Sequence, residues 1–286
     1  MAYPHVSDFI SSQLLKGVQR GMVESDVSLA ISTPKPGRSL SWVDSQREQL
    51  LRIAADPLAA GVIIFYIGDK RNIAALQAVR KAGISMVFVD RHPPEGFEAD
   101  YVGTNNYDAA RIAVQHLIDL GHHRIGMLSN AESVSSVRER EDGYKAALSD
   151  SEIEFDPELL TLVNSDELSF EEATKQAIIR LFNLADPPTA MFAVNDQIAL
   201  RMIPILNGMG IKIPEQLSLV GFDGWLRWLP GGGTLTSAGQ QFERIGQLAT
   251  ELLHKRMQSG ETKAYRHLIL EAPLILNDST SVKRTR

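Results

Sequence analysis

The chain has 286 residues, which is enough for one large or two modest domains with a well-buried core. Hydrophobic residues make up 44% and charged residues 22%, which is ordinary for a globular protein and argues against disorder, collagen and coiled coils. The absence of Cys excludes disulfides, thiolate metal sites and Cys nucleophiles, and the net charge of −6 disfavours DNA binding by these residues alone.

The first third of the sequence alternates short apolar runs with helical patterns, which predicts a parallel sheet covered by helices. Helices are predicted over residues 8–24, 44–55 and 72–81, and Asp8 is the expected N-cap of the first. Strands are predicted over residues 27–32, 61–67, 85–89 and 101–102. The apolar run at 61–67 is uninterrupted, which is typical of a strand covered on both faces.

The same alternation restarts near residue 108 and predicts a second sheet of similar size. Helices are predicted over residues 108–120, 136–148, 170–184 and 196–209, and strands over 124–128, 159–163, 189–194 and 217–222. Pro204 lies inside the last of these helices and predicts a kink or a shorter helix. The expected fold class is α/β, with two doubly wound parallel-sheet lobes.

Polar and aromatic side chains follow four of the predicted strands, where parallel sheets bind their ligands. They are Tyr66, Asp90 with Arg91, Asn195 with Asp196, and Asp223 with Trp225 and Trp228. Carboxylates and amides bind vicinal hydroxyls and aromatic faces pack on sugar rings, so the set indicates a site for a small polar ligand. Structural alternatives are a helix N-cap for the Asn-Asp pair, a turn for Asp223, and core packing for the tryptophans.

Patterns of metal, phosphate and catalytic sites are not found in the sequence. The seven His include no helical His-x-x-x-His pair, and neither a Gly-x-Ser-x-Gly elbow nor a phosphate loop is present. We therefore expect no metal, no cofactor and no enzymatic activity. An α/β enzyme acting on sugars is an alternative function, which turnover of a bound sugar would support.

The sequence also bears on localisation. No apolar run approaches the roughly 18 residues of a membrane span, and the first residues show no secretory signal pattern. We expect a cytoplasmic protein that makes no membrane contact.

Two motifs carry a resemblance to a known family. HLIDLGHHRIG at residues 116–126 and IPEQLSLVGFDG at residues 213–224 resemble the LacI family of bacterial transcriptional regulators. Similar stretches at residues 89–128, 190–200, 235–257 and 268–281 extend the resemblance over nearly the whole chain. It implies a periplasmic-binding-protein-like fold of type I, with a ligand cleft between two lobes. The implied lobes are residues 1–106 with 241–261, and residues 107–240 with 262–286.

The resemblance also implies which residues bind the ligand. The family's ligand-binding Arg lies three residues before a Gly-aromatic pair, here Gly143–Tyr144, and this spacing indicates Arg140. An exposed helix charge is the alternative role for Arg140. The full implied set is Asp90, Arg140, Asn195, Asp223 and Gln240, with Tyr66, Ser7 and Phe9 added by position. The acidic members favour a neutral sugar over a nucleobase or a sugar phosphate.

The implied function is the effector-sensing and dimerisation core of a transcriptional regulator. Ligand binding would change the distance between the two DNA-binding domains of a homodimer. Operator DNA would be bound by an N-terminal domain, and the sequence before Asp8 shows no pattern of such a domain. That domain could be the LacI-type helix-turn-helix or a GntR-type winged helix. The family's first core strand is reduced to residues 1–6 here, and Gly231–Gly233 replaces a proline-rich segment. The alternative is a solute-binding protein of a sugar ABC transporter, which an upstream signal peptide would favour.

Overall fold

A computed structural model describes residues 8–23, 27–33, 41–68, 70–131, 134–163, 170–226, 228–229, 232–259 and 264–283. The chain divides into two compact units, residues 1–104 with 241–270 (unit 1) and residues 105–240 with 271–286 (unit 2). Within the described ranges, no helix combines the length and the apolar character that a membrane crossing requires.

Unit 1 is built on a four-stranded parallel sheet in the order β1-β2-β3-β9, with elements numbered along the chain. Its strands are β1 (Gly61–Phe65), β2 (Ser85–Val89), β3 (Asp100–Thr104) and β9 (His267–Leu270). Its helices are α1 (Asp8–Gly21), α2 (Trp42–Ala55), α3 (Ile73–Lys81) and α8 (Phe242–Ser259). The buried side chains of β2 form the centre of its core.

Helices α1 and α8 of unit 1 approach each other closely. A Cβ placed on Gly17 would overlap the backbone of Glu243, and a Cβ on Gly246 would overlap the backbone of Leu14. Glycine at these positions therefore allows the two backbones to touch, which packs α1 closely against α8.

A buried ion pair joins the end of α8 to β3. Arg256 donates from Nε and Nη2 to the two carboxylate oxygens of Asp100, at 2.7 and 2.8 Å, and Arg266 N donates to the same carboxylate at 2.8 Å. Asp100 is fully buried and Arg256 nearly so. Such bidentate geometry offsets the cost of removing both charges from water.

Two parts of unit 1 differ from the sequence-based expectation. Residues 27–33 form no strand, and the side chains of Val27, Leu29 and Ile31 are exposed. The family's first strand, expected over residues 1–6, lies outside the described residues. Strand β9 pairs with β3, so residues 264–270 lie in unit 1, whereas the predicted boundary assigned 262–270 to the other lobe.

Unit 2 is built on a six-stranded sheet in the order β10-β8-β7-β6-β4-β5, in which only β10 runs antiparallel to its neighbour. Its strands are β4 (Ile125–Asn130), β5 (Leu160–Val163), β6 (Ala190–Ala193), β7 (Ser218–Asp223), β8 (Thr236–Gly239) and β10 (Leu274–Ile275). Its helices are α4 (Asn106–Asp119), α5 (Ser135–Asp150), α6 (Phe170–Phe182) and α7 (Asp196–Gly208). Every residue of the central strands β6 and β7 is buried. Helix α7 continues past Pro204, which is exposed, and ends one residue before the predicted end.

Candidate functional site

The predicted ligand-binding residues of unit 2 meet at the carboxyl end of its sheet. Asp223 is the last residue of β7 and Arg140 lies in α5, and Arg140 Nη1 is 3.4 Å from Asp223 Oδ1. Gln240, directly after β8, donates from Nε2 to the same Asp223 oxygen at 2.8 Å. The structure therefore joins Arg140, Asp223 and Gln240 by an ion pair and a hydrogen bond into one group, which we call the Arg140 set.

Arg140 is fixed by three further contacts. Its Nε donates to Asn106 Oδ1 and its Nη1 donates to Val194 O, both at 2.9 Å. The guanidinium lies 3.8 Å from the ring centre of Phe222, a cation–π distance. Only 4% of Arg140 is exposed, so the alternative of a surface helix charge is wrong.

Asn195 follows β6 and caps α7, because its Oδ1 accepts from Ile198 N at 2.8 Å. The capping alternative is therefore confirmed for this side chain. The preceding residue, Val194, supplies the carbonyl that holds Arg140, which places Asn195 beside the Arg140 set. No acceptor for Asn195 Nδ2 is found in the described part of the chain, and a ligand contact there stays a prediction.

Asp196 is fully buried and braces the segment that follows β7. Its Oδ2 accepts from the backbone N–H groups of Trp225 and Leu226 at 2.8 and 2.9 Å. Its Oδ1 accepts from Ser237 Oγ at 2.7 Å. Burial raises the pKa of Asp196 to about 6, against the opposing effect of these hydrogen bonds.

The raised pKa of Asp196 predicts a pH-dependent stability difference. The folded chain binds this proton more tightly than the unfolded chain, so the stabilisation is complete below the ordinary value of 3.8 and is lost as pH rises through about 6. We expect wild type to lose about 2 kcal/mol relative to Asp196→Asn between pH 4 and pH 7. Denaturant unfolding of both proteins across this range measures the difference.

Asn is the matched replacement, since its oxygen can accept from both backbone N–H groups and its amide can donate to Ser237. Burial lowers the pKa of His122 in unit 2, but that titration is common to both proteins and cancels in the difference. Parallel stability profiles would show that Asp196 does not titrate in this range.

Asp90 lies at the carboxyl end of a strand in unit 1, as Asp223 does in unit 2. It follows β2, is 6% exposed and has a φ of 64°, and Asp223 has a φ of 104°. Positive φ costs energy for a side-chain-bearing residue and is concentrated at functional sites. The carbonyl of Asp90 accepts from Tyr101 Oη at 3.1 Å, and its Oδ2 lies 3.9 Å from Arg91 Nε.

The remaining predicted residues of unit 1 are placed less favourably for a ligand. Tyr66 is 3% exposed and its ring packs edge-on against Phe88 at 5.5 Å, so it belongs to the core. Phe9 is partly exposed near the start of α1. Ser7 lies outside the described residues. Ligand roles for all three stay predictions.

Three residues outside the implied ligand-binding set complete these surroundings, and sequence reasoning missed only Asn106 among them. Asn106 holds Arg140, Asp196 holds the segment after β7, and Arg91 is buried beside Asp90 with its guanidinium 4.8 Å from the ring of Phe65. The sequence analysis named Asp196 and Arg91 at strand ends, but not among the implied ligand contacts. No sequence signal indicated Asn106, because it precedes α5 by some thirty positions.

The Arg140 set is suited to binding rather than to chemistry. One guanidinium faces one carboxylate, and the neighbouring Asp196 adds a second acidic group, so the charges here do not favour an anionic ligand. Donors and acceptors lie side by side, which matches the vicinal hydroxyls of a polyol. Across the residues that the structure describes, no group of three or more His, Asp or Glu could hold a metal ion.

Comparisons with known proteins indicate the family of this chain. Residues 114–280 match the family of periplasmic binding protein-like domains. The regulator CelR of Thermobifida fusca is 30% identical over 93% of this chain and 74% of its own length. The repressor PurR of Aliivibrio salmonicida is 26% identical over 74% of this chain, and the match spans 62% of that repressor.

A solved structure has the same fold. A LacI-family regulator from Enterococcus faecium with bound ribose superposes with a TM-score of 0.80, at 24% identity over 98% of this chain and 97% of that one. The family match covers more than half of the chain, and CelR is matched over nearly all of it. The chain therefore belongs to the periplasmic binding protein-like domain family, in the branch formed by the LacI-type regulators.

Proposed function

We propose that this chain is the effector-sensing and dimerisation core of a bacterial transcriptional regulator, and that its effector is a small neutral sugar. The observation that carries the proposal is the Arg140 set, in which Arg140, Asp223 and Gln240 are joined at the carboxyl end of the unit 2 sheet. The ribose bound by the Enterococcus faecium regulator supports a sugar as the ligand class. Asn195, Asp90 and Tyr66 are proposed as further ligand contacts.

The proposal assigns no catalysis to the chain. The side chains joined to the Arg140 set are an amide, a carboxylate and a guanidinium, with no nucleophile beside a base. A regulator of this kind acts in the cytoplasm as a homodimer, and operator DNA would be bound by residues outside the units described. A transporter's solute-binding protein would share the fold, and an upstream signal peptide in the gene would favour it.

A thermal-shift panel tests the proposal. Ligand at 100 times its dissociation constant stabilises the folded chain by about 2.7 kcal/mol, which raises Tm by roughly 5–10 °C in a protein of this size. We expect such a shift with at least one neutral sugar in a panel that includes ribose and cellobiose. Shifts with sugar phosphates or nucleobases alone would contradict the neutral-sugar proposal.

A further inference from the structure

Asp90 is held in a strained three-residue turn at the end of β2. Arg91 N donates to Val89 O at 2.7 Å, which closes a γ-turn around Asp90, and the φ of Asp90 is 64°. A γ-turn whose central residue has a positive φ is rare, and it is strained for a residue with a side chain. The turn therefore needs support from its neighbours, since Asp90 would otherwise relax to a negative φ and its carboxylate would move.

The support comes from the hydroxyl of Tyr101 on the adjacent strand β3. Tyr101 is fully buried, and its Oη donates to the carbonyl oxygen of Asp90 at 3.1 Å. The imidazole of His92 stacks on the phenol ring, with 3.9 Å between the ring centres and 28° between the ring planes. The ring is thus packed in place, and its hydroxyl is a fixed donor to the turn.

Gly103 leaves the space that the hydroxyl of Tyr101 occupies. Residues 101 and 103 lie on the same face of β3, because side chains alternate along a strand. A Cβ built on Gly103 would overlap the hydroxyl of Tyr101. Gly103 has no positive φ that would itself favour glycine, so room for the hydroxyl is the structural reason for a glycine here.

A similar support is found at Asp223 in unit 2. Asp223 has a φ of 104°, and its carbonyl oxygen accepts from Gln240 N at 3.2 Å. Among the described residues other than glycine, a positive φ occurs at only one further place, Glu152, which follows the end of α5, where this conformation is common. Away from helix ends, such strain in the described chain is therefore confined to the two aspartates that we propose as ligand contacts.

We propose that Tyr101 is a positioning residue of the sugar site, which holds the turn that directs the Asp90 carboxylate to the ligand. This rests on the proposed function, in which Asp90 is a ligand contact. Tyr101 acts through Asp90 and does not touch the ligand, because it is fully buried and its hydroxyl donates to Asp90. Without that hydroxyl, the turn would adopt the binding conformation less often, and the apparent sugar affinity would fall by the same factor.

Calorimetric titration of Tyr101→Phe, with the sugar that gives the largest thermal shift, tests this role. The substitution removes one oxygen atom and keeps the ring on which His92 stacks. We expect the dissociation constant to rise about tenfold, because the energy of a strained φ is large enough to shift the turn by that factor. Gly103→Ala, which would displace the same hydroxyl, is the second variant, used if Tyr101→Phe does not melt cooperatively.

Tyr144→Phe is the matched control. Tyr144 is also fully buried, and its Oη donates to a backbone carbonyl, Ile125 O, at 2.8 Å. Ile125 begins β4, which runs parallel to β6 and β7, so it lies at the opposite end of the sheet from Asp223. Both variants lose a buried hydrogen bond and should melt at a lower temperature, whereas only Tyr101→Phe should bind the sugar more weakly.

A double-mutant cycle with Asp90→Gly separates positioning from general support of the fold. Asp90→Gly removes the carboxylate and accepts a positive φ without strain. In this background, Tyr101→Phe should change the dissociation constant no further, since there is no carboxylate left to position. A loss of affinity in Tyr101→Phe that disappears in the Asp90→Gly background supports the inference.

The other outcomes overturn the inference in distinguishable ways. Full affinity in a folded Tyr101→Phe variant, or equal losses with and without Asp90→Gly, overturns the role of Tyr101 and leaves the proposed function standing. Full affinity in Asp90→Gly removes Asp90 from the ligand contacts, and the positioning role with it. A cooperatively folded wild type that binds no neutral sugar overturns both the inference and the proposed function.

Discussion

Replacing Arg256 with Ala should lower the free energy of unfolding by about 3–5 kcal/mol, because it leaves a fully buried carboxylate without its cation. Among the described residues, the carboxylate of Asp100 would keep only the N–H of Arg266 as a hydrogen-bond partner, having lost two charge-assisted hydrogen bonds. Arg256 also donates to Ala264 O at 3.1 Å and lies over Tyr265, so the connection between α8 and β9 would loosen as well. Thermal melts should show Tm lowered by roughly 10 °C.

An exposed ion pair provides the control for Arg256. Arg52 lies 3.5 Å from Glu48 on α2 and its side chain is 79% exposed, so Arg52→Ala should change stability by less than about 1 kcal/mol. Arg256→Lys keeps the charge but not the bidentate geometry and should fall between the two. Equal melting temperatures for Arg256→Ala and Arg52→Ala would refute the structural role of the pair.

Replacing Arg140 with Ala should weaken sugar binding by at least about tenfold, equivalent to 1.4 kcal/mol or more, because Asp223 loses its cation and Asn106 loses its donor. Asp223→Ala should have an effect of similar size, since it removes the acceptor that Arg140 and Gln240 share. Calorimetric titration with the sugar that gives the largest thermal shift measures both losses.

Arg138 is the matched control for Arg140, because it lies two residues earlier in α5 and is exposed. Arg138→Ala should bind sugar as the wild type does. Arg140→Lys retains the charge and serves as a second variant in case Arg140→Ala loses sugar affinity only because it unfolds. If Arg140→Ala and Asp223→Ala both fold and keep full affinity, the Arg140 set is not the ligand site.

Local sequence patterns predicted the elements of the fold well where each element depends on its own residues. The apolar run of residues 85–89 forms β2 with the predicted bounds. β1 ends two residues early, at Phe65, because Gln46 Oε1 accepts from the N–H groups of Ile67 and Gly68 in place of a neighbouring strand. Such a side-chain partner is not visible in a local pattern.

Elements that depend on a distant partner were predicted less well. The alternation in residues 27–32 indicates a strand, but a strand forms only beside another strand, and none of the described strands pairs with this segment. β9 joins β3 across more than 160 positions of sequence, which no periodicity reports. The site shows the same limit, since the family resemblance implied Arg140 whereas its partner Asn106 comes from another helix.

The most direct test is a calorimetric comparison of one neutral sugar with its own phosphate, using the sugar that shifts Tm most. We predict one sugar bound per chain, and binding of the phosphate at least about tenfold weaker, because the Arg140 set pairs its cation with Asp223 and lies beside Asp196. Tighter binding of the phosphate, or no binding of any neutral sugar by a cooperatively folded chain, would contradict it.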